Sequence, residues 1–263
     1  MCILTNKFKF LVCILYIINQ GKEQPSLDAD FNQENEYYKK ALLHPEIGAA
    51  GRRYLSMRGI NEETVKYWEI GYCPIGHPVY KKLKGRITFP VRDQSGVIVT
   101  ISGRKAFETL PGSKYDMYPF AARRTLFGLW QNRNDIRKLN RAVVTEGQLD
   151  VITAWQSGFK IATSTFGAHG TLWHMGILAR YAKRIDILYD GDRAGWEGVE
   201  GIKKLSTLGD LEVKFQNNIF SNKDDLDSWI KKNSAEELFA LLDKSKILSL
   251  SEKLKRMRGN TNI

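Results

Sequence analysis

Acidic residues in this 263-residue chain fall where a pattern of alternating strands and helices would bring them together. The segment RAVVTEG closes a short apolar run with Glu146 and Gly147, and Asp150 follows one turn on. RIDILYDGD closes another with Asp190, Gly191 and Asp192, and a third acidic group, Asp224, Asp225 and Asp227, follows the run LEVKFQ. Carboxylates crowded together repel one another and raise each other's pKa. A hard divalent cation removes that cost, and a donor set made only of oxygen selects Mg2+ or Mn2+ over zinc. Gly147 and Gly191 are expected to let the chain turn sharply beside each acid. Singly, a D-x-D or an E-G-x-x-D is most often a solvated turn or a helix start. The joint pattern, both acids closing strands of one sheet, is what points to a metal centre.

The elements that must position these acids alternate from residue 141 onward. RAVVTEG, KIATSTFG, RIDILYDGD and LEVKFQ read as strands; LDVITAWQSG, TLWHMGILARYAKR, AGWEGVEGIKKLSTLG and KDDLDSWIKK read as helices. That order implies a mostly parallel sheet with flanking helices and with all strand carboxyl ends along one edge, where ligands collect in such sheets. Trp155, Trp173, Trp196 and Trp229 fall on the helices and read as core packing; His169 and His174 fall near the acidic edge, with a surface or capping role favoured over ligation.

Upstream the pattern differs. Residues 19–35 are polar without a period and read as linker; apolar residues recur at helical spacing from Tyr37 to Met57, broken at Pro45; and Asn61 caps a short helix opening with Glu62 and Glu63. RITFPVRDQSGVIVTISG reads as a hairpin turning at DQSG, with Pro90 implying an edge or a bulge; residues 104–125 read as loop. The predicted fold class is therefore α/β, a mostly parallel sheet preceded by a smaller α+β subdomain. Predicted domains are an apolar run and linker over 1–36, the subdomain over 37–135, the parallel-sheet domain over 136–234, and a helical basic tail over 235–263.

Forty Lys and Arg against twenty-nine Asp and Glu leave a net charge of +11, which favours a polyanionic partner, nucleic acid or an anionic surface. Cys2, Cys13 and Cys73 share no C-x-x-C spacing, which excludes a zinc knuckle, and three cysteines in so long a chain read as free thiols of a reducing, cytoplasmic setting. The apolar run 8–18 is short of the roughly 20 residues of a stable membrane span. It reads as a buried element, a surface anchor, or an extension from a misplaced start, the last being favoured.

EGQLDV followed by LYDGDRAG resembles the TOPRIM domain shared by topoisomerases, DnaG-type primases and related nucleases. The upstream text resembles the primases in particular. RRYLSMRGINEETVKYWEIGYCP resembles the helical segment opening the DnaG-type core, and GRITFPVRDQSGVIVTISGR its hairpin ending in G-R; SKYDMYP, LFGL and STFGAHGT resemble its template-facing segment, L-Y-G-L and S-L-G-T turn. The resemblance covers roughly residues 40–235. It implies a DNA primase core that makes short RNA primers on single-stranded DNA by metal-dependent nucleotidyl transfer. Glu146, Asp190 and Asp192 would be the principal Mg2+ or Mn2+ acids, supported by Asp150, Asp225 and Asp227. Arg86, Arg104 and Lys114 would line the template and nucleotide groove, with Arg193 in the same binding set. For Arg86 and Arg104 the plainer reading is a solvated strand edge. Tyr115, Tyr118 and Phe120 read equally as stacking surfaces or as loop packing.

The implied partners are a single-stranded DNA template, nucleoside triphosphates, and a replicative helicase or separately encoded zinc-binding module. The family's Cys/His module and helicase-binding domain have no counterpart in this text, D-L-D stands where D-P-D is usual, and SKYDMYP lacks an Asn after Tyr115. These departures suggest a minimal primase of phage or mobile-element type, half of a split one, or a decayed one. A TOPRIM nuclease and a non-catalytic DNA-binding accessory remain as rival readings.

Overall fold

The computed structural model describes residues 30–76, 83–167, 170–189, 211–216 and 225–244, which fall into two compact units, 30–131 and 132–244. No helix among the described residues is long and apolar enough to cross a membrane.

The first unit opens with α1 (Phe31–Leu43), α2 (Ala49–Met57) and α3 (Glu62–Tyr67). The polar stretch expected to be linker is in its last five residues the first turn and more of α1: Asp30 accepts the backbone N–H groups of Asn32 and Gln33, and Glu34 and Asn35 are buried. Composition misleads there because two of the polar residues, Glu34 and Asn35, face inward. The expected break at Pro45 is present. His44, extended as a pre-proline residue must be, ends α1, and the Arg52 guanidinium donates to the carbonyls of Leu42 and His44 across the turn. Asn61 caps α3 as its sequence indicates, accepting from the Thr64 N–H at 2.8 Å.

Strands β1 (Gly71–Cys73), β2 (Arg86–Arg92), β3 (Ile98–Lys105) and β4 (Tyr115–Met117) form an antiparallel sheet in that order. Between β2 and β3 the DQSG turn is held by the Asp93 carboxylate, which accepts from the N–H groups of Ser95 and Val97, and Gly96 takes a φ of 92° that favours glycine. Strand β2 is central, yet Pro90 is accommodated: β1 pairs no further than Thr88, and the register with β3 shifts just beyond, at Val91 and Arg92. Strand β4 lies inside the segment expected to be loop, too short at three residues to show a period. Tyr38, Cys73, Leu83, Ile98 and Ile101 form the core, against which Tyr118 packs, and Trp68 stacks on Phe127. Cys73 is a buried thiol outside any disulfide, its pKa pushed up to about 12 by burial.

Within this core the Tyr38 hydroxyl donates to the Glu34 carboxylate at 2.6 Å. Burial raises the Glu34 pKa, outweighing the hydrogen bonds from Tyr38 and Tyr118. A raised carboxyl favours the folded state in its protonated form. Its contribution is complete below the ordinary glutamate range and is lost as pH rises through the raised value. Glu34→Gln should therefore remove that downward slope of stability with pH; urea denaturation across mildly acidic to neutral pH checks it, and parallel slopes in the two proteins would refute it.

The second unit opens with α4 (Leu129–Leu139), which begins just before the unit boundary and which no periodicity announces; Asn132 and Ile136 are its fully buried members beyond the boundary. Then follow β5 (Arg141–Thr145), α5 (Gln148–Gln156), β6 (Ala162–Ser164), α6 (Leu172–Leu178), β7 (Arg184–Ile187), β8 (Glu212–Phe215), α7 (Leu226–Ile230) and α8 (Ala235–Lys244). The four strands are all parallel, in the order β6-β5-β7-β8. Every residue of β5 is buried, as a strand covered on both faces requires. The expected α/β architecture, with a smaller α+β part ahead of a parallel sheet, is the observed one. The predicted helix over 194–209 lies outside the described residues.

Candidate metal centre

Glu146 stands at the carboxyl end of β5, half-buried, directly after Thr145. Its neighbour β7 runs parallel with Val144 opposite Ile187, and the Leu188 N–H continues the ladder to the Val144 carbonyl at 2.8 Å. Glu146 and Tyr189 therefore leave the sheet side by side. The charge of one reaches the other: the Tyr189 phenol is pushed up to about 12, by burial first and with the Glu146 carboxylate adding, against hydrogen bonds from Thr165 and the Gly170 backbone. Tyr189 is the residue before Asp190. Asp190, Asp192 and Arg193 themselves lie outside the described residues, as do Gly191, Asp224, His169 and Trp196.

Asp150 sits in the first turn of α5, where its carboxylate accepts the Gly147 N–H at 3.0 Å. Gly147 has an ordinary extended backbone, φ −98° and ψ 148°, contrary to the sharp turn expected of it. A Cβ there would stand 2.5 Å from the Asp150 carboxylate oxygen, the movable end of that side chain, so a larger residue would push Asp150 away from the Gly147 N–H. Asp225 caps α7 by accepting from the Ser228 N–H at 2.8 Å, and Asp227, buried, pairs with Lys231 at 2.8 Å. Helix α7 packs against α5, so these two acids and Asp150 belong to neighbouring helices. No group of three His, Cys, Asp or Glu close enough to hold a metal ion occurs among the described residues. The donors at the strand end and helix starts are carboxylates, with no cysteine among them, a chemistry that fits a hard divalent cation.

A loop after β6 wraps this edge. Ser164 donates to the Glu146 carbonyl at 2.7 Å and Gly167 N–H donates to the same oxygen at 2.9 Å. Between them Phe166 has a φ of 61°, a conformation that persists in a non-glycine residue only where its surroundings over-determine it. The sequence suggests a strand over KIATSTFG and a turn resembling S-L-G-T; the strand ends at Ser164, and the hydroxyl residues at its end were the signal for the bonds to Glu146. His174 takes the capping role, its ring accepting the Thr171 N–H at 3.2 Å.

The basic residues proposed for a groove are not alike. Arg86 is buried, and donates to the carbonyls of Ser113 at 3.0 Å and Lys114 at 3.2 Å. Arg104 is buried too, donating to the Tyr54 hydroxyl and, at 3.0 Å, to that of Tyr115, over whose ring it lies. Neither is a solvated strand edge. Both guanidiniums tie the segment around β4 to the rest of the sheet or to α2. Lys114 is exposed. Tyr115 and Tyr118 have packing roles, Tyr118 against Phe31 with ring centroids 5.8 Å apart.

Residues 143–230 match the family model described as Toprim-like. The DNA primase of Escherichia coli K12 is 27% identical over 252 residues, covering 82% of this chain and 42% of its own length, so the chain spans less than half of that curated relative. A solved DnaG catalytic core matches with a TM-score of 0.73 at 25% identity, covering 81% of this chain and 78% of that one. A DnaG primase catalytic domain bound to single-stranded DNA matches with a TM-score of 0.72 at 25% identity, covering 81% and 79%. In sequence and in fold the chain is thus similar to the catalytic cores of DnaG-type DNA primases, and the similarity includes a Toprim-like segment over residues 143–230.

Proposed function

We propose that this chain is the catalytic part of a primase, joining ribonucleotides on single-stranded DNA. The observation carrying this reading is the adjacency of β5 and β7, which sets Glu146 beside Tyr189, the residue before Asp190. In the proposed reaction a 3′-hydroxyl attacks the α-phosphate of a nucleoside triphosphate and pyrophosphate leaves. Mg2+ or Mn2+, when bound, would neutralise charge on the attacking and leaving oxygens. Glu146, Asp190 and Asp192 would hold the ions, with Asp150, Asp225 and Asp227 in support. Arg86 and Arg104 act on the template side through the shape they give the β3–β4 segment, since each commits guanidinium donors to protein groups around it. Lys114 and Arg193 supply charge to the nucleic-acid backbone. A relative's bound single-stranded DNA supports the template class, and the net charge of +11 agrees with it. The site of action is the cytoplasm, and a helicase and a separate zinc-binding module are the proposed partners.

The test is incubation of the purified chain with single-stranded DNA, ribonucleoside triphosphates and Mg2+ or Mn2+, read on a gel. Oligoribonucleotides support the reading. Nicked DNA would instead make it a nuclease, and DNA binding without either product would make it an accessory protein. Lys114→Ala should weaken DNA binding and flatten its dependence on salt by about one counterion, since an exposed ammonium contributes mainly through the phosphate backbone. An unchanged slope would remove Lys114 from the interface.

A further inference from the structure

The loop after β6 touches both strand ends that carry acids. On the β5 side it holds main chain: the Glu146 carbonyl accepts from the Ser164 hydroxyl at 2.7 Å and from the Gly167 N–H at 2.9 Å. On the β7 side it holds a side chain: the Thr165 hydroxyl lies 2.9 Å from the Tyr189 hydroxyl, and the Gly170 backbone also bonds to that phenol. The Thr165 hydroxyl also lies 2.7 Å from the Gly167 carbonyl, and either hydroxyl can donate in the Thr165–Tyr189 bond. Ser164, Thr165 and Tyr189 are all buried, so these bonds face little competition from water. The segment keeps Phe166 in the left-handed region to do this. These bonds lie beyond the paired registers, which end at Thr145 opposite Ser164 and at Val144 opposite Ile187.

From this geometry we propose that the Ser164–Gly167 turn acts as a buckle that sets the spacing of the ends of β5 and β7, with Thr165 and Tyr189 as positioning residues for the metal carboxylates that follow those strands. The inference rests on the metal-centre reading above. A divalent ion demands its oxygens at fixed distances, and Mg2+ tolerates little error in geometry. Groups that orient ligands from outside the coordination shell commonly govern affinity for that reason. Removing the Thr165–Tyr189 bond frees the residue next to Asp190 to shift against Glu146 without deleting any carboxylate.

The test is Mn2+ binding by the full chain, followed by the electron paramagnetic resonance signal of free Mn2+, for wild type, Thr165→Val, Thr165→Ser, Tyr189→Phe and Glu146→Gln. Thr165→Val and Tyr189→Phe should each weaken Mn2+ binding by about tenfold with the circular dichroism spectrum unchanged, and Thr165→Ser, which restores the hydroxyl, should bind within about twofold of wild type. A purely structural role would lower the melting temperature of Thr165→Val and Tyr189→Phe and leave their Mn2+ affinity intact; that result overturns the proposal while leaving the metal centre standing. If Thr165→Val does not fold, Tyr189→Phe decides by the same criterion. Wild type that binds no Mn2+, or Glu146→Gln that binds it as wild type does, removes the metal centre and the buckle together.

Discussion

Glu146→Gln is expected to abolish metal-dependent synthesis of oligoribonucleotides while leaving DNA binding close to wild type. The substitution keeps the side chain's size at the end of β5 and removes only its charge. An amide offers a divalent ion one weaker oxygen, and the remaining acids would have to hold it alone. Losing one group that stabilises charge in the transition state commonly costs about a hundredfold to a thousandfold in rate, some 2.7–4 kcal/mol. Because a metal ligand also sets occupancy, the loss here should be at least that large. Binding to DNA is expected to persist because Arg86, Arg104 and Lys114 belong to the other unit, the one ending at residue 131. The measurements are primer synthesis with titrated Mg2+ and Mn2+, and fluorescence anisotropy of labelled single-stranded DNA. Full activity in Glu146→Gln would sink the metal-site assignment. Loss of DNA binding together with activity would show that the residue shapes the template surface instead.

The second large effect concerns stability. Asp186 on β7 is fully buried and accepts from Arg141 at 2.7 Å, from Arg184 at 3.1 Å and from the Gln216 amide at 2.7 Å. Asp243 on α8 receives both arginines from the other side, Arg141 at 3.0 Å and Arg184 at 2.8 Å. The cluster thereby fastens α8 to the sheet, assisted by Phe159 and Phe239 with ring centroids 4.6 Å apart. Removing one partner of a buried pair strands the other charge, at a cost of about 3–5 kcal/mol. Asp186→Ala should lower the unfolding free energy by that amount in urea. Asp243 is half-exposed, so solvent screens its pairs and Asp243→Asn should cost roughly 1 kcal/mol or less. A change below about 1 kcal/mol in Asp186→Ala would mean that water replaces the lost carboxylate and that the cluster does not hold α8.

Much of this arrangement was legible in the residues. The alternation of RAVVTEG, KIATSTFG and RIDILYDGD with amphipathic stretches identified the parallel sheet, because strand and helix periods differ and each leaves its mark on the text. The DQSG turn and the Asn61 cap were equally plain, since local hydrogen bonding decides both. Other features were not. The start of α1 was read as linker because Glu34 and Asn35 look like surface residues until their partners are known. Strand β4 is three residues long and leaves no period. Arg86 and Arg104 looked like exposed cations, and only the fold shows the carbonyls and hydroxyls that take them up.

The sequence by itself determined the α/β class, the alternation of strand and helix in the second unit, and the position of Glu146 just past one of those strands. Those features depend on local chemistry and on order along the chain, and both are written in the text. Tertiary structure decided the rest. That β5 lies between β6 and β7 follows from how buried strands share hydrogen bonds, and no single segment carries that information. The same pairing decides that Thr165 reaches Tyr189, while the start of α5 decides that Asp150 is spent partly on capping its own helix. Contacts between residues distant in sequence arise only when burial of apolar surface forces the elements together, and so they are properties of the packed molecule.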